Sequence, residues 1–335
     1  MPDPTPMSVD APTAIPESVG LEAGTPGWVS VLAKLTAVGA FCVVVAGSAV
    51  TSTRSGLADE HWPTFSGQAV PSFKDMSENR GLFYEHSHRI IAGTVGILTL
   101  LLAVSLWTAP EPRRWVRRLG VAAAVIVVIL AVLGGLTVLL KLPPQVSIVH
   151  VSVAMVFLGC ATSLACVTGK RWRSAREELH AGKGMVQDES IWLARGAVFC
   201  VVAVYVQIVL GAVPRHVHAG VIPHIIWAFA VFTAVVMVVM RVLGRHSGLP
   251  GLFRPGMLLL FLTGLQFFLG FTTFLVRPSA AKAAGTGQYE LFASFHQATG
   301  ALMLIASVLL MLRALRFRYL LRRGIVAPTT REVMA

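Results

Sequence analysis

Four histidines, His88, His150, His224 and His296, each stand near the same end of alternate apolar segments of the chain. An ionisable side chain inside a membrane segment is costly and marks function by default, so four at one depth call for a common purpose. Two imidazoles opposed on neighbouring helices are what an iron porphyrin with two axial histidines requires, and four histidines provide for two haems. Zinc or copper fits less well, because the cysteines and carboxylates that would complete a compact tetrahedral site are missing from three of the four positions. Hydrogen bonding between helices is the bland explanation for any single histidine. It gives no reason to select one depth and only even-numbered segments. Of the others, His61, His216 and His218 fall in outer loops or at helix ends, His180 and His246 in the opposite loops, and His86 is intermediate.

Beside His88 the chain reads YEHSHR from Tyr84 to Arg89, which sets Glu85 three residues before the histidine on the same helical face. A carboxylate there is a candidate proton acceptor. Glu85 and Arg89 also have the spacing and order of a favourable i to i+4 ion pair, and both readings stand. The equivalent residue before His224 is Val221, among Ile222, Pro223 and Ile225, so the second pair is suited to electron transfer alone. Arg54, Arg89 and Arg215 are candidates for pairing with haem propionates, since a guanidinium matches a carboxylate bidentately.

The segments that must carry these residues are membrane spans. Hydrophobic residues make up 55% of the 335, charged ones 13%, and the mean hydropathy is +0.71, which excludes a soluble domain. Stretches long enough to cross about 30 Å of hydrocarbon, roughly 20 helical residues, lie near 29–50, 84–107, 118–140, 146–168, 191–213, 221–243, 256–276 and 289–312. Lys and Arg concentrate in cytoplasmic loops. Here Arg113 and Arg114 follow the second span, Lys170 and Arg171 the fourth, Arg241 and Arg245 the sixth, and Arg313 and Arg316 the eighth. Both termini are therefore expected in the cytoplasm and all four histidines in the outer half of the membrane. The same bias, facing anionic membrane lipid, accounts for the net charge of +12 without a nucleic-acid partner.

Residues 1–28 hold six prolines and four acidic residues with no Lys or Arg, which predicts a disordered cytoplasmic tail. They lack the basic start and early apolar run of a cleaved signal peptide. The expected organisation is that tail, a four-helix bundle over 29–170, a cytoplasmic linker over 171–190, a second bundle over 191–312 and a basic tail over 313–335. Cys42, Cys160, Cys166 and Cys200 all fall inside apolar segments, as small apolar filler, so no disulfide is available in an outer loop.

The two halves echo each other. GSAVTSTRSGL from Gly47 aligns with GAVPRHVHAGV from Gly211, and LGGLT from Leu133 with LGFTT from Leu269. In that register His88 corresponds to His224 and His150 to His296. The fold expected is all-α, eight transmembrane helices in two tandem four-helix bundles related by an internal repeat.

With these pieces in order, TSTRSGLADEHWP at 51–63, the Glu85–His88–Arg89 motif, LGGLTVLLKLPPQVSIVH at 133–150 and FHQATGALML at 295–304, the chain resembles the haem A synthases over about residues 35–312. The resemblance implies a bacterial cytoplasmic-membrane enzyme that converts haem O to haem A for cytochrome oxidases. His88 and His150 would bracket haem O as substrate, His224 and His296 would hold a haem b, and Glu85 would take part in oxidising a porphyrin methyl group to a formyl group through hydroxymethyl and geminal-diol stages. It implies a haem O synthase as donor and an electron acceptor the sequence does not identify, and it leaves a homo-oligomer open. Whether water or dioxygen supplies the oxygen depends on whether both histidines stay on the substrate iron. A non-catalytic two-haem cytochrome b carrying electrons is the rival reading. Many members of the family have a cysteine pair in the first outer loop. Asp59 and Phe65 occupy the matching places here, and the third outer loop, Val213 to Gly220, is expected to be short.

Overall fold

The computed structural model describes residues 25–111, 113–173, 187–217, 219–277 and 287–322. Among them are eight helices long and apolar enough to cross a membrane: α1 (Gly27–Ser52), α2 (Arg80–Thr108), α3 (Arg114–Leu139), α4 (Pro144–Val167), α5 (Gln187–Val217), α6 (Val221–His246), α7 (Pro250–Leu275) and α8 (Gly287–Arg322). In hydrocarbon every backbone polar group must be paired within the protein, which leaves the helix as the economical form for such sequences. Threonines inside them follow the same rule, Thr36, Thr99 and Thr263 each donating to a carbonyl one turn back. Helix starts are set by local chemistry. The side chain of Asn79 accepts from the N–H groups of Gly81 and Leu82 to cap α2, and Pro144 and Pro250 open α4 and α7 where no N–H is needed. Short helices at Phe73–Glu78 and Lys170–Arg173 lie outside the spans.

The packing order closes two rings. α1 packs on α2, α2 on α3, α3 on α4, and α4 returns to α1; α5 to α8 do the same. The rings meet where α8 lies against α1 and α4, and α4 against α5. Glycines permit the closest crossings, Gly39 facing Val95, Gly120 facing Leu106 and Gly196 facing Val238. α8 touches both rings and is 56% buried over its apolar window, against at most 33% for any other span. The buried face of the fold runs through Val29, Leu158, Leu164, Val235 and Leu310, while Val38, Val104, Phe229 and Phe268 are left to lipid.

Several helices begin two to four residues earlier than the apolar runs suggest, since polar residues at a span's edge still join its hydrogen-bond ladder. The loop expected from Val213 is instead the last turn of α5, which carries Pro214 within it and ends at Val217. Proline is accommodated in a membrane helix where neighbouring helices hold the chain, and Arg215 next to it is held by two of them. Its Nη2 donates to Ser48 O at 2.9 Å and Ser52 Oγ at 2.7 Å on α1, and its Nη1 to Ala293 O at 3.4 Å on α8. Likewise α8 continues to Arg322, so the expected basic tail starts as helix. Residues 1–24, 174–186 and 323–335, most of the expected tails and linker, lie outside the described residues.

Opposite the histidines, Arg113 ties the α2–α3 turn to two further helices. It bonds Glu111 at 2.7 Å, Thr25 at 3.1 Å and Val167 O at 3.0 Å. At the histidine end Arg215 is the corresponding tie between the rings. Replacing it by Leu is expected to lower stability by about 1–2 kcal/mol, the upper range for interhelical hydrogen bonds in membranes, seen as a lower midpoint in thermal unfolding followed by circular dichroism in detergent. An unchanged midpoint would show that the rings are held by apolar packing alone.

Candidate functional site

Each of the four histidines faces a glycine on the preceding helix. A β-carbon added at Gly47 would come 2.9 Å from His88 Cε1, at Gly211 2.8 Å from His224 Cε1, at Gly270 3.0 Å from His296 Cε1, and at Gly134 3.5 Å from His150 Cε1. These are the glycines that the two halves align with each other. Without a side chain, the helix lets the imidazole reach its backbone, and the carbonyl one turn before the glycine becomes available to the ring. His224 Nδ1 is 3.2 Å from Gln207 O. His88 and His296 lean in the same way on the backbone of Val43 and Gln266, at looser geometry that leaves their Nδ1 without a close partner. A carbonyl only accepts, so an Nδ1 beside it carries the proton and Nε2 keeps the lone pair, which is how a metal-binding imidazole is oriented by its outer partner.

The ring centres of His224 and His296 are 6.2 Å apart with planes at 84°. A metal held by one nitrogen of each ring at about 2.0 Å would separate the centres by roughly 6 Å once the rings' own radii are added, so this pair stands at the span of two axial ligands. His150 lies within electrostatic range of His88. No third His, Cys, Asp or Glu joins either pair into a compact metal site among the described residues. The donor set fits a porphyrin, which brings four ligands of its own and needs only two.

The pairs differ in their surroundings. Glu85 is 3% exposed. It pairs with Arg89 one turn on, and its Oε2 accepts the Asp59 N–H at 2.9 Å. Arg89 turns its remaining donors to the loop after α1, bonding His61 O at 2.7 Å, Thr64 O at 3.0 Å and Asp59 O at 2.8 Å. Asp59 is buried at the loop's centre and accepts from His61 N at 3.0 Å, Ser66 N at 2.6 Å and His86 Nε2 at 2.8 Å. The loop then lays Trp62 flat on Gly135 of α3, where a β-carbon would meet the indole at 2.7 Å. Its neighbour Gly134 faces His150.

Residues 30–224 match the family model for cytochrome oxidase assembly proteins. This chain belongs to that family. The match takes in His88, His150 and His224 but not His296, whose place rests on the repeated geometry. Similar proteins include the heme A synthase of Bacillus cereus strain 03BB102, 26% identical over 192 residues, or 56% of this chain and 58% of that protein. The heme A synthase of Bacillus mycoides strain KBAB4 is 29% identical over 137 residues, 41% of this chain and 43% of that protein. The aligned region thus spans under two thirds of either relative's length.

Two residues of the loop after α1, Asp59 and Phe65, converge on one side chain. Asp59 bonds His86, and Phe65 meets the same ring edge-on with centres 5.1 Å apart. All four cysteines are free and lie in helices. Arg54 is exposed in a left-handed turn (φ 55°) just after α1, Arg89 faces Glu85 and the loop, and Arg215 lies where the rings meet, with Nε buried and unpartnered. Asp59, Trp62 and the glycine seats are the site residues that sequence reasoning passed over. The glycines were in view as aligned repeats, yet nothing in the sequence says that they touch the histidines.

Burial alone would raise the Asp59 carboxyl, but the His61 backbone, the His86 ring, the Ser66 backbone and the His61 ring together hold it well below the usual carboxylate range. Depressed in the folded state, it contributes stability that is fully present above its unfolded value of about 4 and is lost only as pH falls towards the folded one. Exchange of the His61 and Ser66 amides, measured by hydrogen–deuterium exchange, is therefore expected to show equal protection at pH 5 and pH 8, after correction for intrinsic rates, and loss of protection in Asp59→Ala at both. A loop that opens progressively from pH 8 to pH 5 would contradict this.

The seats give a graded expectation. Gly211→Ala and Gly47→Ala push on a ring at under 3.0 Å and should lose haem from their pair while the helices stay folded; Gly134→Ala, with 3.5 Å of room, should keep it. Haem per chain from the pyridine haemochrome spectrum measures this, and equal retention in all three variants would refute the contact.

Proposed function

We propose that this protein is a haem A synthase, with haem O as substrate between His88 and His150 and haem b resident between His224 and His296. What carries the reading is the inequality of two otherwise matching histidine pairs. Both are seated on glycines, and only the first has a buried carboxylate, Glu85, one turn before its histidine, beneath a pinned loop. An electron carrier has no use for that difference, whereas an enzyme that works on one haem and keeps the other does.

The proposed reaction oxidises a methyl group of haem O twice, to the hydroxymethyl group and then to a geminal diol that loses water to leave the formyl group. With water as the oxygen source, each oxidation takes up one water and releases two electrons and two protons. The resident haem b supplies one-electron redox chemistry when bound. The chain's part is to hold and to exclude. His88 and His150 fix the substrate ring, Trp62 and the loop limit access of bulk water, and Glu85 receives the proton released at the oxidised carbon. Its carboxylate is aimed by Arg89 and by the Asp59 N–H, each using one lone pair of an oxygen, so acceptor capacity remains. A haem O synthase is the proposed donor, and the electrons leave to an acceptor of unassigned identity. With the basic ends of the helices in the cytoplasm, both termini lie there and the chemistry takes place in the outer half of the bacterial cytoplasmic membrane.

The deciding experiment is expression in a host that makes haem O and lacks its own haem A synthase, followed by pigment extraction and chromatography. Haem A, or its hydroxymethyl precursor, is expected; haem b alone despite ample haem O would favour the carrier. In the same host Glu85→Gln should lower haem A at least a hundredfold, within the range that general acid–base groups contribute, with haem content retained. Wild-type levels would take Glu85 out of the chemistry, and an equal loss in Arg89→Leu would reduce it to a partner in the loop.

A further inference from the structure

Gln207 and Gln266 distinguish the two histidine pairs a second time. Each stands one turn before a glycine seat, Gln207 before Gly211 and Gln266 before Gly270. Gln207 Nε2 donates to the backbone carbonyl of His224 at 3.1 Å and also lies 3.4 Å from His224 Nε2, and the ring's Nδ1 returns a bond to Gln207 O. Gln266 Nε2 donates to the carbonyl of His296 at 3.0 Å. Each glutamine thus grips the backbone of the helix that presents a histidine, through the carbonyl of the histidine itself. Room is made for this at Gly300, one turn past His296, where a β-carbon would lie 3.0 Å from Gln266 Nε2. The residue matching Gly300 in the first half is Ala154, and those matching the glutamines are Val43 and Leu130, which have no amide with which to make either bond.

A carbonyl inside a helix already accepts one N–H, and its second lone pair is normally idle in hydrocarbon. A side-chain amide placed there stitches the helices together at the turn carrying the ligand, and so fixes the rotation and height of the histidine. Packing alone, as with Val43 and Leu130, lets neighbouring helices slide and turn more freely. Both glutamines also have a buried Oε1 without a donor, a cost that apolar residues would avoid, so packing is not their purpose.

We infer that Gln207 and Gln266 are positioning residues that lock His224 and His296 into a non-exchanging, doubly ligated haem site, and that Val43 and Leu130 leave the His88–His150 pair loose enough to take up and release its haem. The inference rests on the proposed assignment of resident and substrate sites, and it states what makes the difference. Electrons and protons are not moved by the glutamines; they set the rate at which a haem leaves.

The test uses purified holoprotein, wild type and Gln207→Leu/Gln266→Leu, with two readouts: transfer of haem to excess apomyoglobin, and binding of carbon monoxide to the reduced protein, which requires an axial histidine to let go. Losing two interhelical bonds is expected to speed release from the second site roughly tenfold and to give it a carbon monoxide difference spectrum absent from the wild-type site. Unchanged release with no carbon monoxide spectrum would overturn the inference. If the double variant does not fold, the converse graft, Val43→Gln with Leu130→Gln and Ala154→Gly, decides instead: it should slow haem exit from the first site, and an unaltered rate would overturn the inference equally. His224→Ala separates the two failures. If it leaves haem content and spectrum untouched, the site assignment has failed; if it empties the second site while the glutamine variants change nothing, only the locking role has.

Discussion

An imidazole in hydrocarbon is costly to bury, and the way this protein seats four of them shapes much else in it. The His224 ring meets the Gln207 carbonyl of the preceding helix at 3.2 Å, and the His88 and His296 rings lean towards the backbone of Val43 and Gln266 in the same way. The carbonyl is reachable only where the helix lacks a side chain one turn on, so each histidine is matched by a glycine. The glycine in turn brings the two helix backbones close. Helix spacing, the depth of the site and the orientation of the ligands are therefore consequences of one contact, repeated at Gly47, Gly134, Gly211 and Gly270. The rest of each ring has to close around that contact, which explains why α1 to α4 and α5 to α8 pack in the same cyclic order despite little shared sequence.

On this common frame the halves diverge where their work differs. In the first, polar groups gather outside the helix pair, with Glu85, Arg89, Asp59 and His86 joining the loop to α2 in one hydrogen-bonded group. In the second they lie within it, as Gln207 and Gln266. Arg215 stands between them, bonded to Ser48, the residue after the seat of His88, and to a carbonyl of α8 near His296.

Long-period features were legible in the sequence. Eight apolar runs and the Glu85–Arg89 spacing translate directly into the fold, because hydrophobic thickness and helical periodicity act locally. Contacts between helices were not legible in the same way. Gly47 and Gly211 could be aligned, but that each meets a histidine depends on helix rotation, which a run of apolar residues on all sides does not encode. The burial of Asp59, which is 3% exposed, is not encoded locally, because five donors from four residues converge on it only after the loop folds back. The span expected to end at residue 213 continues through Pro214 to Val217, since the cost of a proline falls where bonds to other helices hold the next turn.

The first loop shows how a covalent constraint can be replaced by an electrostatic one. Where a cysteine pair would tie two points of the loop together, Asp59 and Phe65 both press on His86, which belongs to α2, so the loop is fastened to the helix bearing His88 and not merely closed on itself. A buried carboxylate with this many donors is costly to create and more costly to disturb, because removing it leaves the His61 and Ser66 N–H groups and Arg89 short of a partner at once. The fastening is thus cooperative. It yields only when the carboxylate is protonated or the loop lifts as a whole, taking Trp62 away from Gly135.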